Sequence, residues 1–432
     1  MRYTISLLFT LLFISVGFAQ SHSRILLVNG FIHVGNGTTV PSGLIAIEDG
    51  KIAFIRNAFA YTYEPNEWDT IIQLEGRHIY PGFVAPNSTL GITEIDAVRA
   101  TRDYDEVGAL NPHIRTQIAF NVTSKVISTV RTNGVLLAQV TPRGGIVSGS
   151  SSIMKLHGWN WEDATIVSND GIHLNWPESL PRNHWKKEQH KKNPENTYSD
   201  NKQKIYDFFS MAKAYASSNH NVKSDSRLEA MRACFKGKKR VYIHADELQQ
   251  LSDILDFVAA MKLKYPVIVG GYDANLISRK LADAKIPVML LRPHSLPFNE
   301  EDDIDHTYKL PSLLKEAGVK FCIQNEGDME AMNARNIPFL AGTAMAYGLE
   351  EEDAVSSISL WSCEILGIQK NYGSIEKGKS ATLFVSDGDA LDIRSNNIFL
   401  ALLDGKFIPT TNSQTELYQK YLKKYQDTEE HR

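Results

Sequence analysis

Residues 81–89, which are Pro-Gly-Phe-Val-Ala-Pro-Asn-Ser-Thr, decide the fold of this chain. The Pro-Gly pair marks a turn, and the apolar run after it predicts a short buried strand. Two polar side chains, Asn87 and Thr89, follow at the end of this strand. A carboxamide oxygen and a hydroxyl are weak ligands for zinc, which binds imidazole nitrogen strongly. The pair therefore predicts ligand-contacting positions without strong metal binding.

Downstream of this stretch, short apolar runs alternate with amphipathic patterns as far as residue 370. Helical patterns at 247–264 and 275–284 separate four runs typical of buried strands, which are Val241-Tyr-Ile-His, Val267-Ile-Val-Gly, Val288-Met-Leu-Leu and Val319-Lys-Phe-Cys-Ile. Such alternation predicts an α/β fold, a (β/α)8 TIM-like barrel at 81–370, since this barrel takes ~250 residues. A doubly wound open sheet is the structural alternative, but it does not explain β-rich segments at both ends.

Those β-rich segments lie at 21–80 and 371–410. In the first, Asp49-Gly50 separates two apolar runs, which is a strong short-range signal of a hairpin. A similar pair, Asp404-Gly405, occurs in the second. We therefore expect one small composite β-sandwich domain formed by the N- and C-terminal segments. The final stretch, 411–432, predicts a charged helix.

The first 20 residues predict a signal peptide. Arg2 gives a positive start, residues 7–16 are almost wholly apolar, and small residues precede a cleavage position after Ala19 or Gln20. The apolar run is shorter than the ~20 residues that a membrane span needs. We therefore expect an exported protein, periplasmic or secreted, with no membrane span in its mature form.

Composition excludes several classes of function. The formal net charge is −4, the hydrophobic fraction is 43%, and no basic stripe with interleaved aromatic residues indicates nucleic acid binding. The three cysteines, Cys234, Cys322 and Cys363, are too widely spaced for a disulfide framework or a cysteine-rich zinc site. These features favour a globular protein that acts on, or binds, a small molecule.

Longer motifs carry a family resemblance. Residues 373–385, Gly-Ser-Ile-Glu-Lys-Gly-Lys-Ser-Ala-Thr-Leu-Phe-Val, resemble the Gly-x-Ile-x-x-Gly-Lys-x-Ala-Asp-Leu-Val segment that closes many amidohydrolases. Residues 81–89 resemble the Pro-Gly-Phe-Ile-Asp-x-His-x-His signature of the same family. The chain is thus similar to the metal-dependent amidohydrolase superfamily, and most of all to exported bacterial imidazolonepropionase-like members with a degenerate metal site.

The resemblance implies a metal site at the carboxyl ends of the barrel strands, where metal-bound water attacks the substrate. Asn87 and Thr89 stand at the two histidine positions of the first strand, and Gly270 stands at that of strand six. These three changes remove ligands that the family uses. The cofactor expectation is therefore no metal, or a single weakly bound zinc-like divalent ion.

Four residues at or near the family's ligand positions remain as candidate ligands and catalytic groups. His244 keeps the histidine of strand five, and Asp246 follows two residues later as a second candidate metal ligand. Glu326 or Asp328 corresponds to the strand-eight aspartate, which in the family also serves as general base. A reduced metal site built from these residues is one interpretation. The other is a histidine hydrogen-bonded at the barrel mouth and an aspartate that caps a helix.

A glycine-containing loop at 141–152 supplies the last candidates. Arg143, Gly144 and Gly145 offer a guanidinium and backbone N–H groups to an anionic or polar ligand. The alternative is a tight loop at the barrel mouth that needs glycine for its backbone angles. No Gly-Lys-Ser/Thr sequence follows, so the loop does not predict phosphoryl transfer.

Two hypotheses of function remain open. By resemblance, the protein is a hydrolase of carbon–nitrogen bonds in non-peptide or dipeptide-like amides. Alternatively, it is a catalytically inactive homologue that binds a small molecule or serves as partner subunit of an intact amidohydrolase. Under the second hypothesis we expect the chain to self-associate or to pair with another amidohydrolase, although assembly alone does not decide between the two, since many barrel enzymes are oligomers.

Overall fold

The computed structural model describes residues 23–179, 194–218 and 224–429. The expected signal peptide at 1–20 lies outside the described residues. The strands are β1 Arg24–His33, β2 Thr39–Glu48, β3 Lys51–Asn57, β4 Thr70–Gln73, β5 His78–Pro81, β6 Phe83–Ser88, β7 Val135–Val140, β8 Val147–Ser150, β9 Ser152–Lys155, β10 Thr165–Val167, β11 Gly171–Asn175, β12 Arg240–Ala245, β13 Pro266–Gly270, β14 Val288–Leu290, β15 Phe321–Ile323, β16 Leu383–Ser386, β17 Ile398–Leu403 and β18 Lys406–Ile408.

The described α-helices mostly follow the barrel strands. They are α1 Lys125–Arg131, α2 Trp161–Ala164, α3 Pro194–Ser217, α4 Ser226–Phe235, α5 Leu248–Met261, α6 Ser278–Ala284, α7 His306–Glu316, α8 Glu330–Asn333, α9 Ile337–Ala346, α10 Glu351–Ser357, α11 Leu360–Leu366 and α12 Ser413–Glu429. No helix in the described part of the chain combines the length and apolar character that crossing a membrane requires.

Strands from both ends of the chain form one eight-stranded sheet. Its order is β18-β17-β16-β5-β1-β2-β3, with β4 paired to β1. The junction between the two ends is the antiparallel pair β5 and β16, in which Pro81 faces Leu383. Apolar side chains of both segments, such as Ile79 and Val385, share one buried cluster. The composite domain expected from the two terminal segments is confirmed.

The barrel strands form two sheets, one with the order β10-β9-β7-β6 and the other with the order β15-β14-β13-β12-β11-β8. The parallel pairs are β6 with β7 and each neighbouring pair from β11 to β15. β9 pairs with β7 and β8 pairs with β11, both antiparallel. The eight positions of the TIM-like barrel are therefore present. The third position differs from the all-parallel barrel that we predicted, because its strands β8 and β9 pair antiparallel with β11 and β7.

The barrel strands are apolar because both of their faces are buried. All residues of β7, β13, β14 and β15 are buried, as expected for barrel strands covered by helices on one side and core on the other. Helix α5 lies within the pattern predicted at 247–264 and buries Leu251, Ile254 and Phe257. It starts where Gln250 Oε1 accepts the backbone N–H of Glu247 at 3.0 Å, and it ends at Lys262 in a left-handed conformation.

Candidate functional site

The carboxyl ends of β11 to β15 meet at one edge of the barrel, where a cavity of about 380 Å³ opens. A volume of this size is typical of small-molecule pockets. Its walls combine polar and aromatic residues, including Trp176, His244, Asp246, Arg292, Phe298 and Glu326. The cavity is the candidate functional site because this fold places its ligands at the same edge.

Asn87 lies at the end of β6 in a left-handed backbone conformation, with φ of +49°. The register of β6 against β7 is interrupted between Ala85 and Ser88, and asparagine tolerates this conformation better than most residues. Its Nδ2 donates to Gln324 Oε1 and to Glu326 Oε2, both at 3.0 Å. One carboxamide thus joins the first barrel strand to the segment that follows the last.

Arg143 holds the other side of this carboxamide. Its Nη1 donates to Asn87 Oδ1 at 2.7 Å, and its Nη2 donates to the Asn87 carbonyl at 2.8 Å. The same Nη2 lies 2.9 Å from both carboxylate oxygens of Glu330. The side chains of Arg143 and Glu330 are only 18% and 12% exposed. Both terminal nitrogens of a buried guanidinium are therefore hydrogen-bonded at the mouth of the barrel.

Charge balance keeps Arg143 protonated. Burial disfavours its charged form, but the carboxylates of Glu330 and Glu326 outweigh burial and raise the pKa of Arg143. Burial raises the pKa of Glu330 and so favours its neutral form, while the charge of Arg143 acts to lower this pKa. The ion-paired form prevails because both carboxylate oxygens face the guanidinium at hydrogen-bonding distance.

Glu326 is the carboxylate that reaches the cavity beside His244. Its Oε1 lies 3.8 Å from His244 Nδ1, and its Oε2 accepts a hydrogen bond from Gln324 Nε2 at 3.2 Å. Burial alone would raise the pKa of Glu326, but the interaction with His244 and the charge of Arg143 lower it to about 2. The side chain is 37% exposed, so water screens part of this effect. Glu326 is thus an anion at neutral pH.

His173 belongs to this site and was missed in the sequence analysis. It lies on β11, and its Nδ1 shares a hydrogen bond with His244 Nε2 at 2.9 Å. The ring stacks on Tyr242 with centroids 4.6 Å apart and is fully buried. Burial, followed by the neighbouring His244, lowers the pKa of His173 well below its usual value, so the ring is neutral. The available signal was a histidine inside the otherwise apolar run Gly171-Ile-His-Leu.

Glu330 was also missed in the sequence analysis, and it is the ion-pair partner of Arg143. Thr89 is buried, and its hydroxyl acts to lower the pKa of Glu330 against the larger effect of burial. Asn87, Arg143 and Glu330 form a connected network behind Glu326. Neither these three side chains nor Thr89 are among the residues that line the described cavity.

Gly144 and Gly145 lie in the loop that the sequence analysis considered as a ligand cradle. Both are exposed and have positive φ angles, +82° and +65°. The carbonyl of Gly145 accepts a hydrogen bond from Asn175 Nδ2 at 2.8 Å, so the loop is attached to the end of β11 through an acceptor. The structure favours the conformational explanation for these glycines.

The remaining candidates separate clearly. Asp246 lines the cavity. A Cβ atom added to Gly270 would lie only 2.3 Å from Asp246 Oδ1. The φ of Gly270 is +104°, which L side chains rarely adopt. Asp328 is exposed and does not line the cavity, so Glu326 is the carboxylate that reaches the site. The eighth barrel strand, β15, ends at Ile323, so Glu326 and Asp328 lie in the loop after it and not at the strand end.

These residues do not fit the divalent metal of the family. Among the described residues, three potential ligand atoms come within 4.8 Å of one another only at His33, Glu351 and Glu352, which lie outside the cavity. At the first strand the donors are an amide and a hydroxyl, and a guanidinium is hydrogen-bonded to that amide. A positive charge at this point opposes the binding of a second cation.

The sequence model of the amidohydrolase family matches residues 191–413, which is more than half of the chain. The fold and the arrangement of strand ends agree with this match. The chain therefore belongs to the amidohydrolase family, whose members are hydrolases. Among curated proteins, none matches this sequence.

Solved structures share the fold over most of the chain. An amidohydrolase from Thermotoga maritima is 24% identical, with 89% of this chain and 99% of that chain covered and a TM-score of 0.77. Molinate hydrolase is 12% identical, with 90% and 95% covered and a TM-score of 0.57. A prolidase in complex with N-methylphosphonate-L-proline is 14% identical, with 89% and 99% covered and a TM-score of 0.55. At these identities the similarity concerns the fold.

Proposed function

We propose that this protein is a member of the amidohydrolase family that binds a small organic molecule at the barrel mouth without the family's metal. The observation that carries the proposal is the position of Arg143, which is hydrogen-bonded to Asn87 and faces both carboxylate oxygens of Glu330. In the family pattern the residue at position 87 is a metal-binding histidine. Here the positive charge beside this position comes from the protein itself.

The hydrogen-bonded network of Asn87, Arg143 and Glu330 acts as a structural support of the barrel mouth. Asn87 uses both ends of its carboxamide, and Arg143 bridges two parts of the chain. Buried polar groups that are fully paired favour one conformation of the surrounding chain. The cavity next to the network keeps an open entrance and aromatic walls, which suit binding of an organic molecule.

A second candidate is hydrolysis of a carbon–nitrogen bond by His244 and Glu326. One observation favours it, because both residues line the cavity and their side chains lie 3.8 Å apart. A histidine beside a carboxylate can act in general acid–base catalysis within hydrogen-bonding reach of a substrate. Arg143 is not free to stabilise an oxyanion, since its donors face Asn87 and Glu330. Binding is therefore the better supported function.

Elemental analysis with an activity panel separates the two candidates. We expect the dialysed protein to contain well under one transition metal ion per chain and to leave acyl-amino acids, dipeptides and cyclic amides uncleaved. Two equivalents of zinc per chain would contradict the proposal. Turnover that disappears in a His244→Ala variant would establish the second candidate, whereas turnover that survives would exclude His244 from catalysis.

We also propose that the protein is exported and pairs with itself or with an intact amidohydrolase. The apolar run at 7–16 supports export, and the loss of metal-binding residues on a retained scaffold supports a subunit role. A pull-down from the native envelope fraction should recover a homologous chain, and light scattering should report a dimer or larger assembly. A monomer that captures no homologue would count against pairing, and an unprocessed N-terminus would count against export.

A further inference from the structure

Arg292 is a guanidinium in the wall of the cavity that the network around Arg143 does not use. It follows β14, which ends at Leu290, and it therefore lies at the same barrel edge as His244 and Glu326. A Cβ atom on Gly327 would be 3.3 Å from Arg292 Nη2, so the guanidinium lies directly against the backbone of that glycine. Both residues line the cavity.

No protein group in the described part of the chain is paired with Arg292. Its Nε is buried without a hydrogen-bond partner, and no carboxylate lies within ion-pair distance of it among the described residues. A buried donor without a partner is costly, so such groups commonly mark a place for a ligand or water. A charged donor in a small-molecule cavity is best satisfied by an anion.

The carboxylates of the same wall do not cancel this preference. Glu326 interacts with His244 and accepts hydrogen bonds from Asn87 and Gln324, while Asp246 and Glu178 each have an interaction partner. Arg292 differs because its charge is not matched by any of them.

Apolar surface completes the binding site. Trp176 is buried at one side of the cavity, and Phe298 stacks on Tyr272 with ring centroids 4.0 Å apart at another. Aromatic side chains held in this way offer flat surfaces to the apolar part of a ligand.

We propose that Arg292 binds the anionic group of the ligand, a carboxylate or a phosphate on a small molecule with an apolar body. This inference rests on the proposed binding function of the cavity and names its ligand class. The guanidinium suits either oxyanion, because its planar donors match two oxygens of one group.

Calorimetric titration with three probes tests the assignment. The probes are N-acetylleucine as carboxylate, N-acetylleucinamide as its uncharged counterpart, and phenyl phosphate. We expect at least one anion to bind, and to bind more tightly than the amide. In Arg292→Ala the Kd of that anion should rise about tenfold to a hundredfold, since a hydrogen bond to a charged group is lost. Arg292→Lys should retain part of the affinity.

Arg279→Ala is the matched control, because Arg279 is an exposed residue of α6 and its removal changes the net charge equally. It should bind the probes as the parent does. Equal affinity for N-acetylleucine and its amide, or unchanged affinity in Arg292→Ala, would overturn the assignment and leave the binding function intact. Absence of binding for all three probes would overturn both. The preferred anion decides between carboxylate and phosphate.

Discussion

Replacing Arg143 with methionine should lower the free energy of unfolding by about 3–5 kcal/mol, the cost of removing one partner of a buried ion pair. The change leaves the carboxylate of Glu330, which is 12% exposed, without its cation. It also leaves the carboxamide oxygen and the carbonyl of Asn87 without their donor. Methionine has a similar length, so the loss should come from charge and hydrogen bonding more than from volume. Urea unfolding of the parent and the variant measures this loss, provided that the slope m is the same for both proteins.

Two further variants show whether the loss belongs to the network. The double variant Arg143→Met/Glu330→Met removes both charges of the ion pair, so most of the lost stability should be recovered. Arg99→Met removes an arginine whose ion pair with Asp105 is exposed, with side chains 64% and 38% accessible. Its effect should stay within about 1 kcal/mol. Parent-like stability of Arg143→Met would mean that the network is not a structural support.

Substituting Gly270 with alanine should cost about 3 kcal/mol or more, the sum of backbone strain and overpacking. Its φ is +104°, and the added Cβ would lie 2.3 Å from Asp246 Oδ1 and 2.9 Å from the carbonyl oxygen of Ala245. Because the second neighbour is backbone, rotation of one side chain does not relieve the contact. Restoring the family's histidine at this position should therefore destabilise the fold and recover no metal site. Thermal unfolding of Gly270→Ala and Gly270→His measures both effects.

Gly318→Ala separates strain from contact. Gly318 also has a positive φ, +74°, but no atom lies within 4 Å of the Cβ position. Its substitution should cost only the conformational strain, about 1–2 kcal/mol. If Gly270→Ala proved no more costly than Gly318→Ala, the close contact with Asp246 would have no energetic weight, and the position would be open to a side chain.

The family and its fold were predictable from short stretches of sequence. Residues 81–89 and 373–385 carry the motifs, and the alternation of apolar runs with helical patterns predicted the barrel between them. The absence of imidazoles at positions 87, 89 and 270 could also be seen directly, because a ligand's chemistry belongs to the residue itself. Local pattern therefore identified the scaffold and showed which of the family's ligand positions carry other residues.

The contacts of the candidate residues could not be predicted, because sequence does not show where a side chain lies in the folded chain. Asn87 was predicted as a substrate-binding position, and in the folded chain its side chain hydrogen-bonds with Arg143 and Glu326. Gly270 was recognised as a missing ligand, but the lack of space for any Cβ atom at this position was not foreseen.

Only the tertiary structure decided how the site is assembled. Asn87 and Glu326 are 239 residues apart in the chain, and Arg143 and Glu330 are 187 apart, yet each pair is joined at hydrogen-bonding distance. Periodicity reports which face of an element is buried, and it says nothing about which distant strand ends become neighbours. The tertiary arrangement of the two barrel sheets brings these strand ends together, and the resulting burial determines which charges pair.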